Sequence, residues 1–165
     1  MERVILGISP SGSECETVTV SRAVDGFKKN YGKTIYVPEP RGPEARLNKL
    51  GKSLSHIFSS TYLLAIAVPT PPPTLKPKNM VRYCEDIGVI RYIASLRSLQ
   101  VFSINEKDIA STMNFVYDGE ERGEVLKGLK SSVYSNLNIR LDSINQHWAA
   151  AAAISFLKLL KQGEE

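Results

Sequence analysis

The side chains able to do chemistry in this sequence fall into three groups. The first is a serine-rich turn, Ser9-Pro10-Ser11-Gly12-Ser13, followed closely by the acids Glu14 and Glu16. A serine hydroxyl becomes a nucleophile only when a base takes its proton, and the histidines on offer are His56 and His147. Serines in a Pro-Gly turn also need no catalytic explanation, since their hydroxyls bond the turn itself. The second group is Cys15 and Cys84, which lie far apart and form no Cys-x-x-Cys pair. Neither their spacing nor that of the histidines is that of a zinc site, so they read as reduced thiols and no metal is expected there. The third group is basic. Lys28, Lys29, Lys33, Arg41, Arg46, Lys49 and Lys52 form one cluster, and Lys76, Lys78 and Arg82 flank a proline segment. Such cations neutralise phosphates and give salt-dependent, sequence-independent affinity for nucleic acid. Phe27, Tyr31 and Tyr36 are interleaved with the first cluster, where aromatic rings are able to stack on unpaired bases. The bland alternative is a solvated face above core aromatics.

Composition sets weak bounds on these readings. Lysine and arginine number 21 against 17 aspartates and glutamates, a net charge of +4 over 165 residues. That surplus permits a polyanionic partner without requiring one. Hydrophobic residues make up 42% and charged residues 23%, the balance of an ordinary globular domain, and the length suits one domain spanning 1–165. No apolar run approaches the ~20 residues that span a bilayer. The opening residues lack the charged and apolar regions of a signal peptide. A soluble, cytoplasmic protein without a cofactor is the expectation.

The elements that must position these groups follow from periodicity. Arg3 to Ile8 reads as a buried strand ended by the serine turn, and Thr17 to Ala23 alternates as a strand with one exposed face. Lys33 to Val37 is a third strand, closed by Pro38 and Pro40. Leu47, Leu50, Leu54, Ile57 and Phe58 repeat at helical spacing over 43–60, with Pro43 in the first turn. Tyr62 to Val68 is a continuous apolar run, a strand covered on both faces, cut off by Pro69-Thr70-Pro71-Pro72-Pro73. Asn79 to Leu96 is helical by spacing, and Gln100 to Ile104 is the next strand. Ser103 to Glu106 has the form of a capping box opening a short helix; Ser143 to Gln146 has the same form before a last helix through Leu160. Glu120 to Tyr134 is helical between them. Three strands joined by short links must be antiparallel, whereas strands separated by helices must be parallel. An α/β domain with a mixed five-stranded sheet and helices on both faces results.

That order, together with several strings, resembles the RuvC-type Holliday-junction resolvases of the RNase H-like superfamily. Val4-Ile5-Leu6-Gly7-Ile8-Ser9-Pro10 is similar to the family's opening strand, which ends Gly-Ile-Asp-Pro-Gly. Leu64-Ala65-Ile66-Ala67 stands where the family has a strand ending in Ile-Glu. Gly88-Val89-Ile90, Leu99-Gln100-Val101-Phe102-Ser103 and Glu106-Lys107-Asp108-Ile109 follow the family's helix, strand and helix. Trp148-Ala149-Ala150-Ala151-Ala152-Ala153-Ile154 resembles its last helix. The likeness covers nearly the whole chain in order.

The resemblance implies four acids that hold Mg²⁺ for metal-assisted cleavage, and these acids are missing. The positions fall on Ser9, Ala67, Asn145 and Trp148, none of them a carboxylate. The expectation is therefore a degenerate domain that binds branched or structured nucleic acid without cutting it, with Trp148 filling the former metal cavity. It also implies DNA-facing loops at the end of the sheet near the basic clusters, and a homodimer paired through the helix 79–96, whose Tyr83, Ile90, Arg91 and Tyr92 would supply the surface. Two alternatives stay open. One is an active endonuclease with acids relocated to Glu14 or Glu16 and Asp142, which otherwise read as solvated loop charges. The other is a structural or adaptor protein without a nucleic-acid partner.

Overall fold

Val4, Ile5, Leu6 and Ile8 are apolar on both sides of the backbone, and the first strand, β1 (Val4–Ser11), is correspondingly covered on both faces in the computed structural model. The structure describes residues 2–36, 42–72 and 74–162, without the side chain of Gln162. β2 (Glu14–Ala23) returns antiparallel to β1 across the serine turn, with Ser9 opposite Glu16. β3 (Gly26–Tyr36) pairs antiparallel with β2, with a bulge between Thr19 and Val20. α1 (Pro43–Ser60) leads to β4 (Ala65–Thr70), which lies parallel to β1, and α2 (Pro77–Ser95) leads to β5 (Val101–Asn105), parallel to β4. α3 (Glu106–Met113), α4 (Arg122–Leu137) and α5 (Ile144–Gln162) complete the chain. The sheet order is β3-β2-β1-β4-β5, three antiparallel strands continued by two parallel ones, as the connection lengths require.

Strand alternation divides the core in two. Ile5, Val18, Val20, Ala65 and Ala67 face α3, α4 and α5, while Leu6, Ile8, Cys15, Ile66 and Val68 face α1 and α2. The alanine run of α5 lies hard against the sheet, and an added Cβ on Gly7 would stand 1.8 Å from the Ala149 carbonyl oxygen. Among the described residues, no helix is long and apolar enough to cross a membrane.

Several elements depart from the periodicity, each for a local reason. β3 begins at Gly26 rather than Lys33 because it is an edge strand, so Lys28, Asn30 and other poor strand formers remain in water there. Val37 lies outside the described residues. β4 begins at Ala65, not Tyr62, and runs on through Pro69 to Thr70, pairing with Ile104 and Asn105 of β5. Its pairing with β1 ends at Ala67, so Pro69 has no donor to lose on that side. The short helix is capped by Asn105, whose side chain accepts from the Asp108 N–H at 2.8 Å, and not by Ser103, which stays in β5. Ser143 does cap α5, accepting from the Gln146 N–H at 3.1 Å. The Gln146 amide completes no reciprocal box: its oxygen accepts from the Asp142 N–H and its nitrogen donates to Glu16.

Candidate functional site

The topology gathers the ends of most elements at one point. β1 ends there in Ser9, Pro10 and Ser11 and turns at Gly12; β4 ends there in Pro69 and Thr70. Asn79 is the third residue of α2, Glu106 the first of α3, Arg122 the first of α4, and Asn145 the second of α5. All of them line a cavity of about 370 Å³, with Tyr83 and Trp148 in its wall. The carboxyl ends of parallel strands are where open α/β sheets place their ligands. Four helix N-termini also meet here, each carrying a partial positive charge, those of α3 and α5 capped by Asn105 and Ser143.

Three of the four positions read as former acid sites, Ser9, Asn145 and Trp148, line this cavity. Ala67 does not: it is fully buried beneath α5 in the core. The one carboxylate in the wall is Glu106, which the sequence analysis read as a capping residue. Arg122 donates to both of its oxygens, Nη2 reaching Oε1 at 3.0 Å, and the Tyr117 hydroxyl donates to Oε2 at 3.3 Å. The Arg122 guanidinium also lies 5.5 Å from the Trp148 ring centre, and Phe115 packs on Trp148 at 6.4 Å. Trp148 is almost wholly buried, so its ring is packed into the wall rather than presented to the opening. A cation at the first position of α4 opposes the helix dipole and therefore needs a nearby acid; that mismatch was the available signal for Arg122 and Glu106.

A pair of Mg²⁺ ions activates water and stabilises a leaving oxygen between several anionic ligands. This donor set does not fit them. Ser9 and Asn145 offer neutral oxygens, and the Glu106 carboxylate is already satisfied by a fixed cation. Among the described residues, no three histidines, cysteines or acids stand close enough to share an ion. The relocated acids do not assemble either. Glu16 is no solvated loop charge: it is 2% exposed and accepts from Thr34 at 2.9 Å, Ser143 at 3.3 Å and Gln146 at 3.2 Å. Asp142 is exposed beside it in sequence to α5, and only its backbone joins this network.

The basic residues separate into places. Lys76 and Lys78 are exposed at the start of α2, on either side of the cavity residues Leu75 and Asn79. The Arg82 guanidinium stands 3.8 Å from the Cβ position of Gly12, at the same mouth. Lys28 and Lys29 stand at the other end of the sheet, since Lys28 is opposite Ser21 and Ser21 opposite Val4. Lys28 is paired with Glu2 at 2.9 Å. Lys33 lies nearer the cavity end of β3, opposite Thr17, which is opposite Ile8, and Lys49 and Lys52 are exposed on α1. Arg41 lies outside the described residues. Tyr31 and Tyr36 are exposed, but Phe27 packs on the core with Arg22 above its ring.

Arg46 must be withdrawn as a phosphate contact. It is 1% exposed, bonded to Asp86 and, at 2.6 Å, to Glu85, and so ties the first turn of α1 to α2. Burial pushes the Asp86 carboxyl up from 3.8 to about 6, against the opposing pull of Arg46. A folded-state value above the unfolded one means that this group stabilises below about pH 4 and loses that contribution as the pH rises through about 6. Asp86→Asn removes the ionisation. Its stability relative to the parent chain is expected to improve by about 1–2 kcal/mol between pH 4 and pH 7, read from urea midpoints. A constant difference across that range would contradict this assignment.

Solved structures of resolvases share this architecture over nearly the whole chain. Thermus thermophilus RuvC in complex with a Holliday junction substrate superposes with a TM-score of 0.82 at 13% identity, covering 97% of this chain and 96% of that one. The yeast mitochondrial Holliday junction resolvase Ydc2 superposes at 0.67, also at 13% identity, over 97% of this chain and 80% of its own. No family model matches the sequence, and no curated protein matches it. The fold is thus that of the RuvC-type, RNase H-like resolvases.

Proposed function

We propose that this chain, built on the RuvC-type resolvase fold, binds branched or structured nucleic acid and does not cut it. The observation that carries this reading is the Arg122–Glu106 pair. It occupies the convergence of strand ends where the fold would otherwise gather carboxylates, and it leaves the cavity with no free anionic ligand. Four helix N-termini and the exposed Lys76 and Lys78 make the same end of the molecule attractive to phosphates. The resolvase likeness supports a nucleic-acid partner, and the Thermus protein carries a Holliday junction in its structure. Pairing of two copies through α2 belongs to the same proposal. Of the residues expected on that surface, Ile90 is buried in the core and Tyr83 lines the cavity, but Tyr92 is exposed together with Val81 and Leu96 along or just beyond the helix, an apolar surface that an isolated chain leaves in water.

The test is binding of a four-way junction against plain duplex at two salt concentrations with Mg²⁺ present, the strands then being run on a denaturing gel. Junction binding that weakens by about tenfold or more between low and moderate salt, with intact strands, is the expected result. Cut strands would overturn the proposal, and absence of binding at low salt would move the function to a protein partner.

A further inference from the structure

We infer that the cavity between β1, β4 and α5 holds a single unpaired nucleobase of the bound strand. This rests on the nucleic-acid reading above and names what enters that site. The volume, about 370 Å³, is at the small end of ligand-sized clefts, roughly 300–1,000 Å³. It has room for one planar ring system and not for a helix.

The wall chemistry matches a base. Apolar groups line it: the flat Tyr83 ring, with Pro10, Pro69, Pro71 and Leu75. Tyr83 is held in place by donating its hydroxyl to the Pro69 carbonyl at 3.2 Å, and burial pushes its ionisation up to about 12, so it remains a neutral donor. Between these groups stand the side chains of Ser9, Asn79 and Asn145, which make no hydrogen bond to any described residue. Two free carboxamides and a hydroxyl offer donors and acceptors in the pattern that a base edge requires. Trp148, in the same wall, keeps a buried indole N–H without an acceptor.

The charge arrangement separates the inside from the rim. Inside, Arg122 and Glu106 cancel. Outside, Lys76, Lys78 and Arg82 surround the mouth. A nucleotide has the same distribution, a neutral ring with anionic phosphates on either side. Extruding a base from a stack is costly in a paired duplex and cheapest where the base is already unpaired. The cavity therefore favours branch points and other interrupted duplexes, which gives a physical origin to a preference for branched substrates.

The experiment uses two four-way junctions that differ at one unpaired nucleotide beside the crossover, one carrying adenine and the other an abasic sugar. The full chain is expected to bind the adenine-bearing junction about tenfold more tightly, the scale of one base contact. Asn79→Trp, an exposed position at the mouth, is expected to make the two junctions bind alike, as is Asn145→Leu. Circular dichroism establishes that the variants fold. Equal affinity of the unmodified chain for both junctions would overturn the inference and leave the proposed function standing. Adenosine monophosphate that displaces no junction but saturates the cavity would assign it to free nucleotides and also overturn the inference. Binding to neither junction would overturn the underlying reading and the inference with it.

Discussion

Gly7→Ala is expected to cost about 3 kcal/mol or more of folding stability, the upper end for an added core methyl. The new Cβ would stand 1.8 Å from the Ala149 carbonyl oxygen and 2.6 Å from its carbon. Both obstacles are backbone, so no side-chain rotation relieves the clash, and α5 must move away from β1. Domains of this kind are stable by roughly 5–15 kcal/mol, so the loss is a large fraction of the total. Gly88→Ala in α2 provides the comparison. Nothing lies within 4 Å of its added Cβ, and a helical glycine replaced by alanine gains about 0.5–1 kcal/mol. Urea midpoints of the two variants should therefore shift in opposite directions. A Gly7→Ala midpoint within experimental error of the parent would show that α5 does not lie against the sheet as described. The displacement would also reach the cavity, because Trp148 and Asn145 lie within one turn before Ala149.

Arg46→Ala is expected to destabilise by about 3–5 kcal/mol, the usual loss when one partner of a buried ion pair is removed. The change leaves Asp86 buried beside an empty volume that a large side chain had filled. Glu85, a third exposed, is better able to turn to water. The second arm removes both charges. Arg46→Met with Asp86→Leu restores apolar packing between α1 and α2 and should recover most of the loss, since well-packed hydrophobic pairs often equal buried ion pairs. A single-variant cost below about 1 kcal/mol, measured against the ~0–1 kcal/mol of a surface pair, would place Arg46 at the surface after all.

Arg46 also shows where reading the sequence fails. It sits among Arg41, Lys49 and Lys52, and a charge in such company reads as solvated. Its partners lie 39 and 40 residues further on, and nothing local announces them. Glu16 was hidden in the same way, because its burial depends on Ser143 and Gln146 at the start of α5. What the sequence does carry is period and connection length. The apolar runs of β1 and β4, helical spacing in α1 and α2, and the lengths of the connections were enough for a mixed sheet of three antiparallel strands followed by parallel ones, whereas the exposed face expected of β2 is covered, residues 15–21 being buried. The exceptions, the first half of β3 and the proline end of β4, are places where a strand is held by its neighbours and not by its own composition. The cavity was half legible. Ser9, Asn145 and Trp148 stand at positions the motif singled out, whereas Glu106 and Arg122 were visible only as helix starts.

The lysines of β3 have a bearing on how the molecule behaves before it meets any ligand. β3 is the outermost strand of its sheet and is 11 residues long, so along its outer side it pairs with no strand among the described residues. Such an edge is a template onto which a strand of another chain can add, and lysines along it, with a bulge that twists the ladder, make that addition unfavourable. Lys28, Lys29 and Lys33 therefore help to keep individual chains apart, and part of the basic surplus of this protein answers to its own exposed edge rather than to phosphates.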